Sequence, residues 1–232
     1  METFQNLPAH VSIIMDGNGR WAQRHSLPRF KGHYEGVESV RAIVECSCTL
    51  GIRYLSLFAF SEENWNRPQD EVSRLMELFS QCMKGELDNF LKNGVRFVVL
   101  GNREKFSASL NSTIDEMMDK TAAGNKLTLV VFLSYSGKWD ILQAARKLAV
   151  EHPDGNFGPD DFASALVTAG IPDPDLLIRT SGEMRISNYM LWQLSYTEIV
   201  VVDTLWPDFR KSNFLDALAE YEKRDRRFGK VK

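Results

Sequence analysis

The chain has 232 residues, 44% hydrophobic and 25% charged, with a formal net charge of −3. This fits one globular domain with no Pro-, Gly- or Ser-rich linker dividing it, and gives no general reason to expect a nucleic-acid partner. Cys46, Cys48 and Cys82, odd in number and without a C-x-x-C pair, argue against a disulfide framework and a zinc site and fit a reducing, cytoplasmic compartment.

The first ten residues lack the features of a signal peptide, and the longest apolar run, 127–133, is far short of the roughly 20 residues that span a bilayer. In chain order, the pattern predicts a strand over 11–15, a helix over 35–50, a strand over 54–60, a helix over 69–92, a strand over 95–101 and a helix over 103–123. There follow a strand over 127–134, helices over 139–151 and 159–169, strands over 176–179 and 199–203, and a helix over 213–224. The strands are short and lack strict alternation, so they read as covered on both faces. The prediction is a single α/β domain with a central, mostly parallel sheet flanked by helices. Ligands bind beyond the carboxyl ends of such strands. Residues 16–21, 61–67, 134–138, 180–187 and 203–208 should therefore share one edge.

The first exit reads Asp16-Gly17-Asn18-Gly19-Arg20-Trp21-Ala22. Gly17-x-Gly19-x-x-Ala22 resembles a dinucleotide fingerprint, in which glycines let the backbone approach a pyrophosphate. The acidic partner expected about 20 positions on falls instead inside a predicted helix, at Glu35 and Glu38. A carboxylate before the glycines can hold Mg²⁺, and an arginine after them can hold phosphate oxygens. Without that chemistry the segment is a tight turn capped by Asp16.

The second exit, Ser61-Glu62-Glu63-Asn64-Trp65-Asn66-Arg67, precedes a helix whose dipole accounts for Asp70 and Glu71 but not for Asn64, Trp65 and Arg67 together. The third places Arg179 and Arg185 six residues apart around Gly182, followed by Ile186 and a Ser187 that can cap a helix over 188–194. Glu198, alone, reads as a surface carboxylate, and His33, four residues after Arg29, reads alone as structural. Val72, Leu75, Met76, Phe79, Met83 and Phe90 lie at helical spacing and suit either a core stripe or an apolar substrate channel. The tail 223–232 is basic and suits a solvated segment or an anion.

Taken together, residues 10–22, 29–36, 58–68, 175–192 and 198–209 resemble the cis-prenyltransferase family, the undecaprenyl-diphosphate-synthase-like enzymes. The resemblance implies a Mg²⁺-dependent homodimer that adds isopentenyl diphosphate to an allylic diphosphate such as farnesyl diphosphate, forming a new Z double bond. The expected product is the precursor of a lipid carrier for cell-wall synthesis, of medium length such as C55. Asp16 is the implied essential carboxylate and Mg²⁺ ligand, with Glu198 the second. Gly17, Asn18, Gly19, Arg20, Trp21, Arg29 and His33 are implied to surround the allylic diphosphate. Ser61, Glu62, Glu63, Trp65 and Arg67 line the reacting end, where Asn64 is the family's proposed proton acceptor. Arg179, Arg185, Ile186 and Ser187 hold isopentenyl diphosphate. Arg227-Phe228-Gly229 matches a motif that reaches across the dimer, and membrane contact is peripheral at most.

Two departures stand out. Met184 occupies a position where some members carry a metal-assisting His, and Ser134-Tyr135-Ser136-Gly137-Lys138 replaces Asn-Tyr-Gly-Gly-Arg. The competing readings are a nucleotide-binding oxidoreductase, which has no use for Arg179, Arg185 and Glu198, and a silent family member that serves an active partner, which should lack Asp16 or the arginines.

Overall fold

Short apolar runs that are buried along their length satisfy their backbone by pairing side by side under helices on both faces. The computed structural model, which describes residues 4–227, shows that arrangement. β1 (His10–Ile14), β2 (Tyr54–Ser61), β3 (Val95–Leu100), β4 (Leu127–Tyr135), β5 (Leu176–Arg179) and β6 (Glu198–Val201) form one sheet in the order β3-β4-β2-β1-β5-β6. Every neighbouring pair is parallel. β1 and β5 are buried at every residue.

Alternate strand residues feed two cores. Val11, Ile13, Leu55, Leu57, Phe97 and Leu129 pack under α2 (Arg29–Leu50), α3 (Gln69–Asn93), α4 (Ala108–Thr121) and α7 (Lys211–Glu222). Ile14, Val130, Phe132 and Leu177 face the other way, towards Tyr189, Met190 and Trp139 of α5 (Gly137–Glu151). α1 (Asn18–Arg24) and α6 (Pro159–Ala165) complete the helices, with 3₁₀ turns at Glu62–Asn66 and Trp206–Asp208. Among the described residues, no helix is long and apolar enough to cross a membrane.

The predicted strands all form, within a residue or two at each end. Five helical expectations need correction, one of them only in length: α6 ends at Ala165, four residues short of the expected 169. α1 is new, because Gly17 and Gly19 read as a turn; Gly17 in fact adopts φ 107 immediately before the helix. α2 starts six residues earlier than expected, carrying Gly32 and Gly36 inside a helix. A Cβ at Gly32 would come within 1.9 Å of the Asn18 carbonyl oxygen, and one at Gly36 within 2.7 Å of Asn18 Oδ1. Those glycines serve close packing of α1 on α2, which outweighs their helical cost of about 1 kcal/mol each. α4 starts at Ala108, where Ser107 caps it by accepting from Leu110 N at 3.2 Å. The helix expected over 188–194 does not form: Ser187, Asn188 and Met190 take positive φ. Tertiary bonds hold them there, since Asn188 receives Gly137 N and Lys138 N and donates to Glu63.

Candidate active site

The strand exits crowd one edge of the sheet, and the sequence fills that edge with opposite charges. Leaving β1, Asp16 is clamped by its backbone: its N–H donates to Thr180 Oγ1 at 2.9 Å and its carbonyl accepts from the same hydroxyl at 2.7 Å. Gly17 then turns the chain, where a Cβ would also press on Leu205 at 2.9 Å. The Asp16 carboxylate accepts from Arg179 Nη2 at 2.9 Å and lies 3.4 Å from Arg20 Nη2.

Arg179 ends β5 and is itself buried. Its other nitrogen donates to Ser187 Oγ at 2.8 Å and to the Arg185 carbonyl, so one guanidinium joins the Asp16 turn to the 185–187 loop. The Arg185 side chain is more exposed and pairs with Glu183 at 2.5 Å, while Arg20 reaches Glu183 at 3.1 Å and the Ser181 carbonyl at 3.2 Å. Asn18 Nδ2 donates to the Met15 carbonyl at 3.1 Å.

Across the mouth, Glu71 of α3 joins Arg29 at 3.3 Å and Arg67 at 3.1 Å. His33 sits behind them. Burial, and then the charges of Arg67 and Arg29, lower its pKa to about 4, so the ring is neutral near pH 7. Burial pulls Arg67 below the usual guanidinium range as well. Asn64 Oδ1 accepts from Ser61 N at 3.2 Å, a local cap that fixes its amide.

These side chains ring a cavity of about 440 Å³. Asp16, Asn18, Arg29, Arg67, Arg179 and Arg185 stand at its mouth, and Leu57, Leu75, Phe79, Met83, Phe97 and Leu129 lie deeper between the sheet, α2 and α3. The α3 stripe thus contributes to a channel as well as to the core.

Twelve of the expected site residues line this cavity: Asp16, Gly17, Asn18, Gly19, Arg29, His33, Ser61, Asn64, Arg67, Arg179, Arg185 and Ser187. Others are turned elsewhere. Arg20 closes the rim through Asp16 and Glu183, and Trp21 donates to Asp208 at 2.7 Å and stacks on His25. Glu62 accepts from Asn102 and Ser136, bracing its 3₁₀ turn on the exits of β3 and β4. Glu63 accepts from Asn188 at 2.7 Å, Trp65 donates to Ser134 Oγ at 2.9 Å against Phe60 and Phe106, and Ile186 packs on the second core.

Within this chain Glu198 does not stand beside Asp16. It begins β6, in register with Leu176, whereas Asp16 follows the Ile14 that pairs with Arg179 at the other end of β5. Within one chain the two carboxylates lie at opposite edges of the sheet. Glu198 is instead paired with Arg224 at 2.9 Å.

Sequence reasoning passed over Glu71, Thr180, Gly32 and Gly36, all of which position the mouth. The glycines carried a usable signal, because small residues four apart on a helix mark close backbone approach. Glu71 gave none beyond its place at a helix start. Among the described residues, no three His, Cys, Asp or Glu side chains gather as a metal cage. Mg²⁺ commonly uses one or two carboxylates with substrate phosphates and water, and Asp16 at a cationic mouth suits such an ion. The two carboxylates near the position a dinucleotide site would use are engaged elsewhere, Glu35 with Arg210 at 2.9 Å and Glu38 with Arg41.

Residues 14–229 match the family model described as putative undecaprenyl diphosphate synthase. The chain is 50% identical to an isoprenyl transferase of Chlorobaculum tepidum over 97% of this chain and 87% of that one. It is 47% identical to the (2E,6E)-farnesyl-diphosphate-specific ditrans,polycis-undecaprenyl-diphosphate synthase of Pseudomonas aeruginosa, over 97% and 92% of the two chains. Lavandulyl diphosphate synthase of Lavandula x intermedia, solved with dimethylallyl diphosphate, superposes with a TM-score of 0.91 at 34% identity, covering 97% of this chain and 99% of that one. The present cavity joins a cationic mouth to an apolar interior. The chain belongs to the undecaprenyl diphosphate synthase family of cis-prenyltransferases.

Proposed function

We propose that this protein condenses isopentenyl diphosphate with farnesyl diphosphate, and then repeatedly with its own product, to make a Z-polyprenyl diphosphate of the undecaprenyl type. The observation that carries this reading is the single cavity with arginines at its mouth and hydrocarbon side chains within. A diphosphate and a growing isoprenoid need those two environments in that order.

The roles follow from the residue types. Gly17 and Gly19 let the chain come close to the allylic diphosphate, with Arg29 and the neutral, half-buried His33 beside it. Arg179, Arg185 and Ser187 form the pocket for the second diphosphate. Asp16, together with the diphosphate, would hold Mg²⁺, which would supply charge stabilisation as the allylic C–O bond ionises. The alkene of isopentenyl diphosphate then bonds to the allylic carbon, and a proton leaves its C2. Asn64 is a weak base, since a neutral amide barely accepts protons. Its amide, held by Ser61, orients the alkene and passes the proton towards a diphosphate oxygen. The apolar interior excludes water from the cation.

We further propose a cytoplasmic homodimer acting through one catalytic domain over residues 1–232, with at most peripheral membrane contact. The exposed Ile199 on the edge strand β6 favours pairing there. Phe228 and Gly229 of the expected cross-dimer motif lie outside the described residues. Incubation with farnesyl diphosphate, labelled isopentenyl diphosphate and Mg²⁺, followed by chromatography, should yield a labelled polyprenyl series that chelation abolishes. An unlabelled lipid fraction from folded protein would remove the proposal.

A further inference from the structure

The cavity is apolar along most of its length, yet it holds a polar group far from the mouth. Arg41 of α2 and Glu86 and Asn89 of α3 all line it. Arg41 Nε donates to Glu86 Oε1 at 2.5 Å, Arg41 also pairs with Glu38, and Asn89 Nδ2 donates to Glu86 Oε2 at 3.1 Å. The Glu86 side chain is 13% exposed and that of Arg41 46%, so the pair crosses between two helices with its carboxylate sheltered and its guanidinium partly in solvent. The bond to Glu86 holds Arg41 above the ordinary guanidinium range.

Both helices start at the mouth and run to the far edge of the sheet, α2 ending before β2 and α3 before β3. At ~1.5 Å per residue, Arg41 stands about 18 Å along α2 and Glu86 about 25 Å along α3. Capacity can be judged against a known case: a cavity of about 150 Å³ accommodates one benzene ring. On that scale the present 440 Å³ suits roughly three such rings, or a hydrocarbon of about fifteen to twenty carbons. A starter of farnesyl size fits; a chain several five-carbon units longer does not, unless α2 and α3 separate. Hydrocarbon offers no hydrogen bond to a carboxylate, so a chain that parts the pair leaves the sheltered Glu86 without its guanidinium partner.

We propose that the Arg41–Glu86 ion pair, braced by Glu38 and Asn89, is a determinant of product chain length. It ties α2 to α3 across the far half of the cavity and resists the widening that each added unit demands. The proposal rests on the isoprenyl-transferase reading above. Elongation continues while the free energy of each addition exceeds the cost of parting this latch, and stops where it does not.

The test compares product distributions from farnesyl diphosphate and labelled isopentenyl diphosphate for the wild type, Glu86→Gln, Arg41→Met and the charge-swapped pair Arg41→Glu with Glu86→Arg. Distributions are normalised to total label incorporated, so that a change in rate does not pass for a change in length. The two single variants should lengthen the dominant product by at least one five-carbon unit, and the swap should return it towards the wild-type length. Glu86→Gln keeps the shape of the side chain, so a wild-type distribution from that folded variant overturns the proposal. A swap that makes chains as long as the single variants do also overturns it, because an ion pair would then be irrelevant. Failure of the wild type to incorporate label is a different result and counts against the enzymatic reading itself.

Discussion

Asp16 and Arg179 illustrate how one contact serves both stability and chemistry. The guanidinium is buried, and its hydrogen bonds join the Asp16 turn to the 185–187 loop. Asp16→Ala should lower kcat by at least about 10²-fold, as expected for loss of a principal stabiliser of developing charge. Near-normal turnover would remove Asp16 from the mechanism. Arg179→Ala should raise the KM for isopentenyl diphosphate more than that for the allylic substrate, because it faces Ser187 and Arg185; the reverse ordering would reassign the two diphosphate sites. His33 gives a pH prediction. Its pKa falls from 6.5 to about 4 in the folded protein, so the unfolded chain binds more protons between those values. Stability is therefore complete above about pH 6.5 and declines as pH falls towards 4, and buried His10, also lowered to about 4, adds to the same slope. Thermal melts of His33→Asn against the wild type across pH 4–7 should show a shallower loss; parallel curves would mean that the ring titrates normally. Asp16, Arg179 and Arg185 were legible as candidates because their exits share one edge. The motif position of Glu198 did not show which end of a strand it occupies, and within one chain it lies away from Asp16.

At the scale of elements, periodicity sufficed for strands and long helices. It failed where tertiary contacts override local preference. Gly17 and Gly19 read as a loop, yet α1 follows directly, because only the folded neighbourhood shows that a φ of 107 at Gly17 leads into a helix. The expected helix over 188–194 was lost to the hydrogen bonds that Asn188 makes with Gly137, Lys138 and Glu63. α2 extends through two glycines for a reason invisible in propensity: α1 lies against them. Gly32→Ala should push α1 off α2, since its Cβ would meet the Asn18 carbonyl at 1.9 Å. Overpacking of this kind costs about 1–3 kcal/mol. The melting temperature should fall and the KM for farnesyl diphosphate should rise, because the displaced segment carries Asn18 and Gly19. The chemically similar Gly85→Ala on α3, where a Cβ meets nothing within 4 Å, is the matched control: it should keep the KM and, if anything, raise the melting temperature. Equal behaviour of the two variants would show that the α1–α2 approach does not shape the site.

For the molecule as a whole, the cavity and the core are built from the same residues. Leu57, Leu75, Met83, Phe90, Phe97, Val99, Leu129 and Leu133 belong to the principal hydrophobic cluster and also line the cavity. A fold that keeps 440 Å³ unfilled among such side chains forgoes dispersion contacts that a packed core would make. The substrate's hydrocarbon tail restores them, so binding and folding are linked. A ligand that binds only the native state at 100 times its Kd stabilises by about 2.7 kcal/mol. In a protein of this size each kcal/mol shifts the melting temperature by about 2–4 °C. A non-hydrolysable farnesyl diphosphate analogue should accordingly raise it by about 5–10 °C. Inorganic pyrophosphate reaches only the arginines at the mouth and leaves the apolar interior unfilled. At equal saturation both ligands give the same linkage term, so the difference must appear in affinity: the analogue should reach its full shift at concentrations well below those pyrophosphate requires. Added salt should weaken pyrophosphate proportionally more, because its binding is carried by charges at an open mouth. If the two ligands acted over the same concentration range, the apolar interior would contribute nothing to recognition, and the division of the cavity into a cationic mouth and a hydrocarbon channel would lose its functional meaning.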